Sequence, residues 1–541
     1  MSLLSTLARL EAIRSGRAEP LATVRHRHLS DRPMVVVPLA AAGEAGAPLA
    51  VLLGTDRAAP RLHLVPQPLN RTQRFDFLAR FAAELLPYLE SFGAEVEQIE
   101  ASEKDPETGE KTQVFRELCA DAPQLIVPNP GSIRHLALLG RSTRFRRTAE
   151  DADPGPYPAP TRVPLLGRWL THLTERSQVP GSSLLLPMTG LLARHWATGQ
   201  SHLEDQHLAA QLAWHSPPPG LTGAEAAELA ETERDAHGQL THPPAGPATD
   251  PRFDELVLAG AITRHDAALV ALQHLTTAGQ PAAGLTTADR PAERQRAELL
   301  VKLASEQLHA ALESVLLPTW RDVWHGLDLL RTLPPAAHLA ERWESDRWSY
   351  TGHRDRLAAG EPPQPKQDDA VTAARKLAQR EREQVRVDVQ EALDDPLVMA
   401  ERRLAGEAFT GVVTEVTPAY DTSGRSPKPR PLVTVRTEDR PHADPGREAH
   451  RANGLAAQKA VIVGADPAEG TITVQVTSGM GRKKEPEPGS LPEPGDRITF
   501  TLFELTPRQS APLPDPDDTP WTHGGPPGSA DHSPTAAEEW E

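Results

Sequence analysis

Groups able to do chemistry are few in this sequence, and they are scattered. His202 and His207 flank Glu204 and Asp205 in SHLEDQHLAA, the nearest approach to a metal motif. A helical zinc pair needs histidines four apart, as in H-E-x-x-H, so that both imidazoles share one face. A spacing of five sets them about 140° apart on a helix that turns roughly 100° per residue, so no shared ion is expected. Cys119 is the only cysteine. It excludes an intramolecular disulfide and any zinc site that needs two thiolates from one chain. His135 follows it in sequence, but no third group orients the pair as nucleophile and base, and a buried thiol is expected. Ser132 and Ser182 lack the second glycine of a nucleophile elbow. TGQSHLED around Gly199 and LLGRST around Gly140 lack the glycines and lysine of a phosphate loop. Carboxylates that could hold Mg²⁺ with a nearby lysine occur in EASEK and GEKTQ, a polar stretch expected to be a loop with no strand to rigidify it. No catalytic residue, metal site or cofactor is expected.

Three candidate binding surfaces remain. Loops of a C-terminal barrel carry Arg425, Lys428 and Arg430 in SGRSPKPRP, and Arg482, Lys483 and Lys484 in GMGRKKEPEP, with Tyr420 nearby. Barrels of the OB kind bind single strands across a face bordered by such loops. RHLALLGRSTRFRR is the most basic stretch of the chain, with Arg134, Arg141, Arg144, Arg146 and Arg147 around Phe145. Arginine both pairs with phosphate and stacks on bases. ERWESDRWSYTGHRDR offers Trp343, Trp348 and Tyr350 among arginines, the ingredients of an aromatic surface.

The whole molecule is acidic, with 57 Lys plus Arg against 74 Asp plus Glu and a net charge of −17. That balance argues against coating nucleic acid with the entire surface and leaves room for a local basic patch. The 54 prolines, about twice the usual frequency of ~5%, predict many forced helix ends and stiff connectors. No run approaches the ~18 apolar residues of a membrane span, and the N-terminal leucines Leu3, Leu4, Leu7 and Leu10 recur at helical spacing rather than as a signal peptide. No membrane association is expected, and a reducing cytoplasm suits a lone cysteine.

These residues must be positioned by several domains. Residues 1–150 read as an α+β domain. LATVRHRHL, MVVVPLA, PLAVLLG and RLHLV form an antiparallel four-stranded meander with one wet face, and a helix over Thr72 to Phe92 covers the dry face. A helix is expected over Cys119, and a strand turning into a helix at Leu125 to Gly131. Residues 151–163 are a proline-rich linker, and 164–360 a mostly helical domain in which Pro318 ends one helix. Charged connector helices follow over 367–406, with Val385, Val389 and Leu393 as an apolar seam and a restart at Asp395 and Pro396. At residues 407–505 the period changes to two, and five strand candidates predict a small OB- or SH3-like barrel. The tail, 506–541, is too polar and Pro/Gly-rich for a core and is expected to be disordered, although Trp521 and Trp540 resemble acidic-aromatic docking peptides.

The fold class expected is multidomain α+β. The function expected is a non-catalytic adaptor that presents a barrel able to grip single-stranded nucleic acid beside a protein partner, such as an enzyme. The alternatives are a pure protein-protein scaffold whose barrel binds peptide, and a hydrolase whose site is assembled from residues remote in sequence.

Overall fold

A computed structural model of the chain describes residues 3–41, 46–104, 111–244, 246–277, 290–423, 427–453, 458–481 and 485–506. The architecture is mixed α+β with about 45% helix. After an N-terminal helix, α1 (Leu3–Ser15), comes a five-stranded sheet. Its first strands are β1 (Met34–Ala40), β2 (Pro48–Gly54) and β3 (Arg61–Leu64). A separate hairpin of β4 (Val96–Lys104) and β5 (Lys111–Cys119) intervenes before the last two strands, β6 (Leu125–Val127) and β7 (Leu185–Pro187). The spatial order is β3-β2-β1-β6-β7, antiparallel among the first three, with β6 parallel to β1 and β7 parallel to β6.

Both faces of the sheet are dry at β1 and β2, while the edge strand β3 is partly exposed. Met34 and Val36 enter one core while Val35, Val37 and Leu39 enter the other. The unbroken apolar runs MVVVPLA and PLAVLLG are what two-sided burial requires. The expected first strand, LATVRHRHL, contributes only an isolated bridge from Arg25 to Pro335, so the four-stranded meander with a wet face gives way to a mixed sheet. Cys119 ends a strand instead of lying in a helix, and the polar EASEK and GEKTQ segments belong to the β4–β5 hairpin. On one face lie α2 (Arg71–Ser91), α3 (Pro130–Thr143) and α4 (Val163–Arg176). On the other lies α5 (Arg290–Arg331), which runs through Pro318. A proline inside a helix forfeits a hydrogen bond. Here the apolar stripe on each side of it, Leu308, Leu312 and Leu316 before and Trp320, Val323 and Leu327 after, is buried on the same core and keeps the axis continuous. Because α4 and β7 join the sheet and its first core, the proline-dense 151–163 segment lies within one packed body.

The next helix, α6 (Leu339–Ala358), packs Trp343 and Tyr350 into the first core, and the connector forms α7 (Ala370–Asp394) and α8 (Pro396–Leu404). Asp395 caps α8 as expected, accepting from the Leu397 amide at 2.9 Å. Of the expected seam, Val389 is buried and Leu393 half-buried, but Val385 is exposed and the buried Val387 stands in its place. Ion pairs complete the contact. Glu391 accepts from Arg194 at 2.7 Å and from Arg27 at 3.2 Å, and Asp395 accepts from the Thr23 amide at 2.8 Å. Burial pushes Glu391 upward, but Arg194 and Arg27 outweigh it and bring the carboxyl down to about 2.

The C-terminal unit is a closed barrel of six strands, one more than the sequence pattern suggested. They are β8 (Ala408–Thr417), β9 (Leu432–Arg436), β10 (Glu448–Arg451), β11 (Lys459–Asp466), β12 (Thr471–Val476) and β13 (Arg497–Thr501). The order β8-β9-β12-β11-β10-β13 closes on itself with every pairing antiparallel. The short β10 has no alternating apolar signal in EAHR, which explains its absence from a pattern reading. Phe409 and Phe500 stack in the interior at 5.5 Å, so these aromatics are core. Arg403 holds Asp439 through two hydrogen bonds of 2.7 and 2.9 Å and ties the barrel to α8. The expected disordered tail, including Trp521 and Trp540, lies outside the described residues. Among the described residues no helix is long and apolar enough to cross a membrane.

Candidate arginine-lined cleft

The end of α3 and the start of α4 are brought together by two glycines. A Cβ on Gly140 would stand 2.8 Å from the Thr171 amide nitrogen, and one on Gly167 would collide with the Arg144 amide and the Thr143 hydroxyl. Only hydrogen fits at this crossing, and the close approach delivers Arg144 and Arg168 to one place. The single glycine of LLGRST therefore serves helix packing. Asn70 caps α2 by accepting from the Gln73 amide at 3.1 Å, which fixes Arg71 in the first turn beside the same opening.

The result is a cleft of about 1070 Å³ walled by Arg71, Arg144, Arg146, Arg147 and Arg168, with Phe145 and Tyr157. The 151–163 segment is its rim: the Ala159 amide donates to the Arg147 carbonyl at 2.7 Å, and Arg147 pairs with Asp153. Tyr157 stands 65% exposed, and the Arg71 guanidinium lies 4.6 Å from its ring. Arg146 donates to the Ser142 carbonyl, and its guanidinium is 5.9 Å from the Phe75 ring. Burial lowers its pKa, and the neighbouring charges that add to the effect, Arg71 and Arg74, are both positive. Arg144 is only 3% exposed. Its Nε donates to the Gln364 carbonyl and its Nη2 to the Pro365 carbonyl, each at 2.9 Å, while its buried Nη1 has no hydrogen-bond partner among the described residues.

Carboxylates on the rim are occupied locally. Asp151 accepts from the Thr148 amide, Glu150 from the Thr161 hydroxyl, and Asp153 from Arg147. Guanidinium groups repelling one another in a partly dry cleft are what a multiply charged anion would relieve, and phosphate accepts the forked donors of arginine.

The sequence candidates disperse as follows. Arg144, Arg146 and Arg147 enter the cleft, whereas Arg134 and Arg141 are exposed on α3 and do not line it. Trp343 and Tyr350, expected on an aromatic surface, are core residues: Trp343 stacks on His28 at 3.9 Å, and the Tyr350 hydroxyl donates to the Leu89 carbonyl at 2.6 Å. Trp348 lines a separate cavity with Arg386 and Thr506. Cys119 is buried, its sulfur accepting from Arg354. His202 approaches Arg9, while His207 caps a short helix by accepting from the Ala210 amide.

On the barrel, Tyr420 is half exposed and lines a groove of about 430 Å³ with Pro429, Pro431, Glu485, Glu487 and Glu493. Lys428 pairs in register with Asp421, and Arg430 donates to the Thr477 carbonyl at 2.8 Å. Arg425, Arg482, Lys483 and Lys484 lie outside the described residues. Arg71, Arg168 and Tyr157 come from three segments that the sequence reading did not join. The tyrosine in PGPYPAP was the one signal available, an aromatic in a stretch too proline-dense to bury it.

In comparisons with known proteins, the chain matches no family model, no curated protein and no solved structure.

Proposed function

We propose that the protein is a multidomain cytoplasmic adaptor that holds single-stranded nucleic acid in the arginine cleft and a protein partner on its barrel. The observation that carries this reading is Arg146, partly buried among like charges beside the exposed Tyr157 ring. Arginine and an accessible aromatic together suit a phosphate joined to a planar base. The barrel groove, with three glutamates, prolines and Tyr420, suits a basic, proline-containing peptide. A second reading gives the barrel an OB-like role in gripping the strand. Lys428, on the short strand that pairs with the Tyr420 strand, favours it.

Fluorescence anisotropy with a labelled oligothymidylate tests the assignment. Wild type should bind with a salt slope of about −0.7 per contacted phosphate. Arg71→Ser with Arg146→Ser should weaken binding at least tenfold and flatten the slope. Loss of binding in Lys428→Ser with Arg430→Ser, and not in the cleft variant, would move the strand to the barrel.

A further inference from the structure

The cleft does not end at Arg168. Residues Glu361 to Pro365 form a strap that borders it, and on the strap's other side lies a second cavity of about 480 Å³. Arg168 and Pro363 line both spaces. The strap is held through two of its backbone carbonyls, which Arg144 grips, and through the Gln364 side-chain amide, which donates to the Arg168 carbonyl at 3.5 Å.

The second cavity is also basic. Arg168, Arg176, Arg356, Lys376 and Arg380 line it against Glu175 and Glu361. Over the two spaces nine cationic side chains face five carboxylates, an excess of four on a chain whose net charge is −17. Arg176 and Lys376 are already paired, with Asp346 and Asp368, whereas Arg356 and Arg380 have no ion pair among the described residues. On the inner wall His172 and His353 stack with ring centroids 4.1 Å apart and planes 4° from parallel. They are 8% and 2% exposed, and the Nε2 of each is buried without a hydrogen-bond partner among the described residues. Unsatisfied buried polar atoms in a basic cavity are costly unless a ligand completes them.

We infer that the two cavities are successive phosphate subsites of one binding path, so that the ligand is an oligonucleotide strand long enough to occupy both sides of the Glu361–Pro365 strap. This rests on the assignment of the cleft to nucleic acid and adds the extent of the site. A mononucleotide or free phosphate would fill one cavity. A chain of regularly spaced phosphates uses both, and the strap then lies across it.

The test uses full-length protein and fluorescein-labelled oligothymidylates of four and sixteen nucleotides over a salt series. The sixteen-mer should bind at least tenfold more tightly than the tetramer, with a steeper salt slope. Arg356→Ser with Arg380→Ser, both outside the first cleft, should reduce the sixteen-mer's slope by about 1.4, from two contacts at about 0.7 each, and leave the tetramer unchanged. Equal slopes for the two lengths, or a sixteen-mer slope unaffected by the double variant, would overturn the extended path while leaving the cleft assignment standing. Tripolyphosphate competing as strongly as unlabelled sixteen-mer would also overturn it, in favour of a free polyanion. Absence of binding to either length at low salt would remove both. A melting curve of the double variant that matches wild type keeps a folding defect from passing as support.

Discussion

The arginine cleft and the barrel groove are built from similar materials, prolines, one exposed tyrosine and a cluster of charges, yet they carry opposite sign. The cleft gathers five arginines onto an acidic molecule, and its carboxylates are paired off by neighbouring hydroxyls, an amide and Arg147. The groove is lined by no described lysine or arginine, and the charges among its described lining residues are three glutamates, although SGRSPKPRP and GMGRKKEPEP read as basic. Charge counted along the chain is therefore a poor guide to charge in a cavity. What decides it is which side chains the backbone turns inward and which find a partner nearby.

The strongest way to break this pairing of sites is to cut the body from the barrel. Glu391 anchors α7 to Arg27 and Arg194, and removing it strands the buried Arg27 guanidinium, while Arg194, whose side chain is 37% exposed, can turn to water. Losing one partner of a buried pair costs about 3–5 kcal/mol. Glu391→Ala should lower the melting temperature markedly and free the connector, checked by limited proteolysis within residues 370–404. Acid should act similarly. Glu391 and Asp395, whose pKa values are both held at about 2, add stability that is fully present above pH 4.5 and is lost as pH falls toward 2.

Next in size is the crossing that assembles the cleft. Gly167→Ala drives a methyl group into the Arg144 backbone, which has no flexible end to yield. Overpacking of this kind costs roughly 1–3 kcal/mol. Oligonucleotide affinity should fall with stability, because Arg144 and Arg168 are displaced together. A Gly167→Ala protein that melts early yet binds normally would show that the cleft does not depend on the crossing.

The two regions also differ in how far they can be read from sequence. The barrel's period-two runs announce five strands, and only EAHR, with no apolar alternation, escapes. The body conceals more. LATVRHRHL alternates like a strand, but its polar residues serve the buried contact with Glu391 and Asp395, and the sheet is completed by three-residue strands too short to show a period. Half of the cleft was visible as RSTRFRR, since those arginines are adjacent in sequence. Arg71, Tyr157, Arg168 and the strap join them only through long-range packing. Trp343 and Tyr350 look like a surface because arginines surround them, yet their polar atoms are satisfied inside, by Asp121 and the Leu89 carbonyl.

A smaller effect separates the regions by pH. Burial lowers His172 to about 3 and His353 to about 2, with Arg356 repelling both and His172 also acting on His353. Below pH 6.5 the unfolded chain takes up protons that the folded body refuses, so the body loses stability as pH falls from 6.5 toward 3. The slope is on the order of 1 kcal/mol per pH unit for each group. His353→Phe should flatten this dependence between pH 7 and 5 in chemical denaturation. An unchanged slope would mean that the cavity admits enough water to charge the ring.

The smallest effect is the most discriminating. Tyr420 is 49% exposed and donates no hydrogen bond to the barrel among the described residues, so Tyr420→Ala should shift stability by no more than about 0.5 kcal/mol. If the groove holds a basic, proline-containing peptide, the loss of that ring should weaken such a peptide several-fold in a titration, because an aromatic wall packs on proline while the glutamates hold the cations. Oligothymidylate binding should not change. The reverse pattern, with weaker oligonucleotide and unaltered peptide, would place the strand on the barrel. The opposite charges of the two cavities would then say nothing about what each one holds.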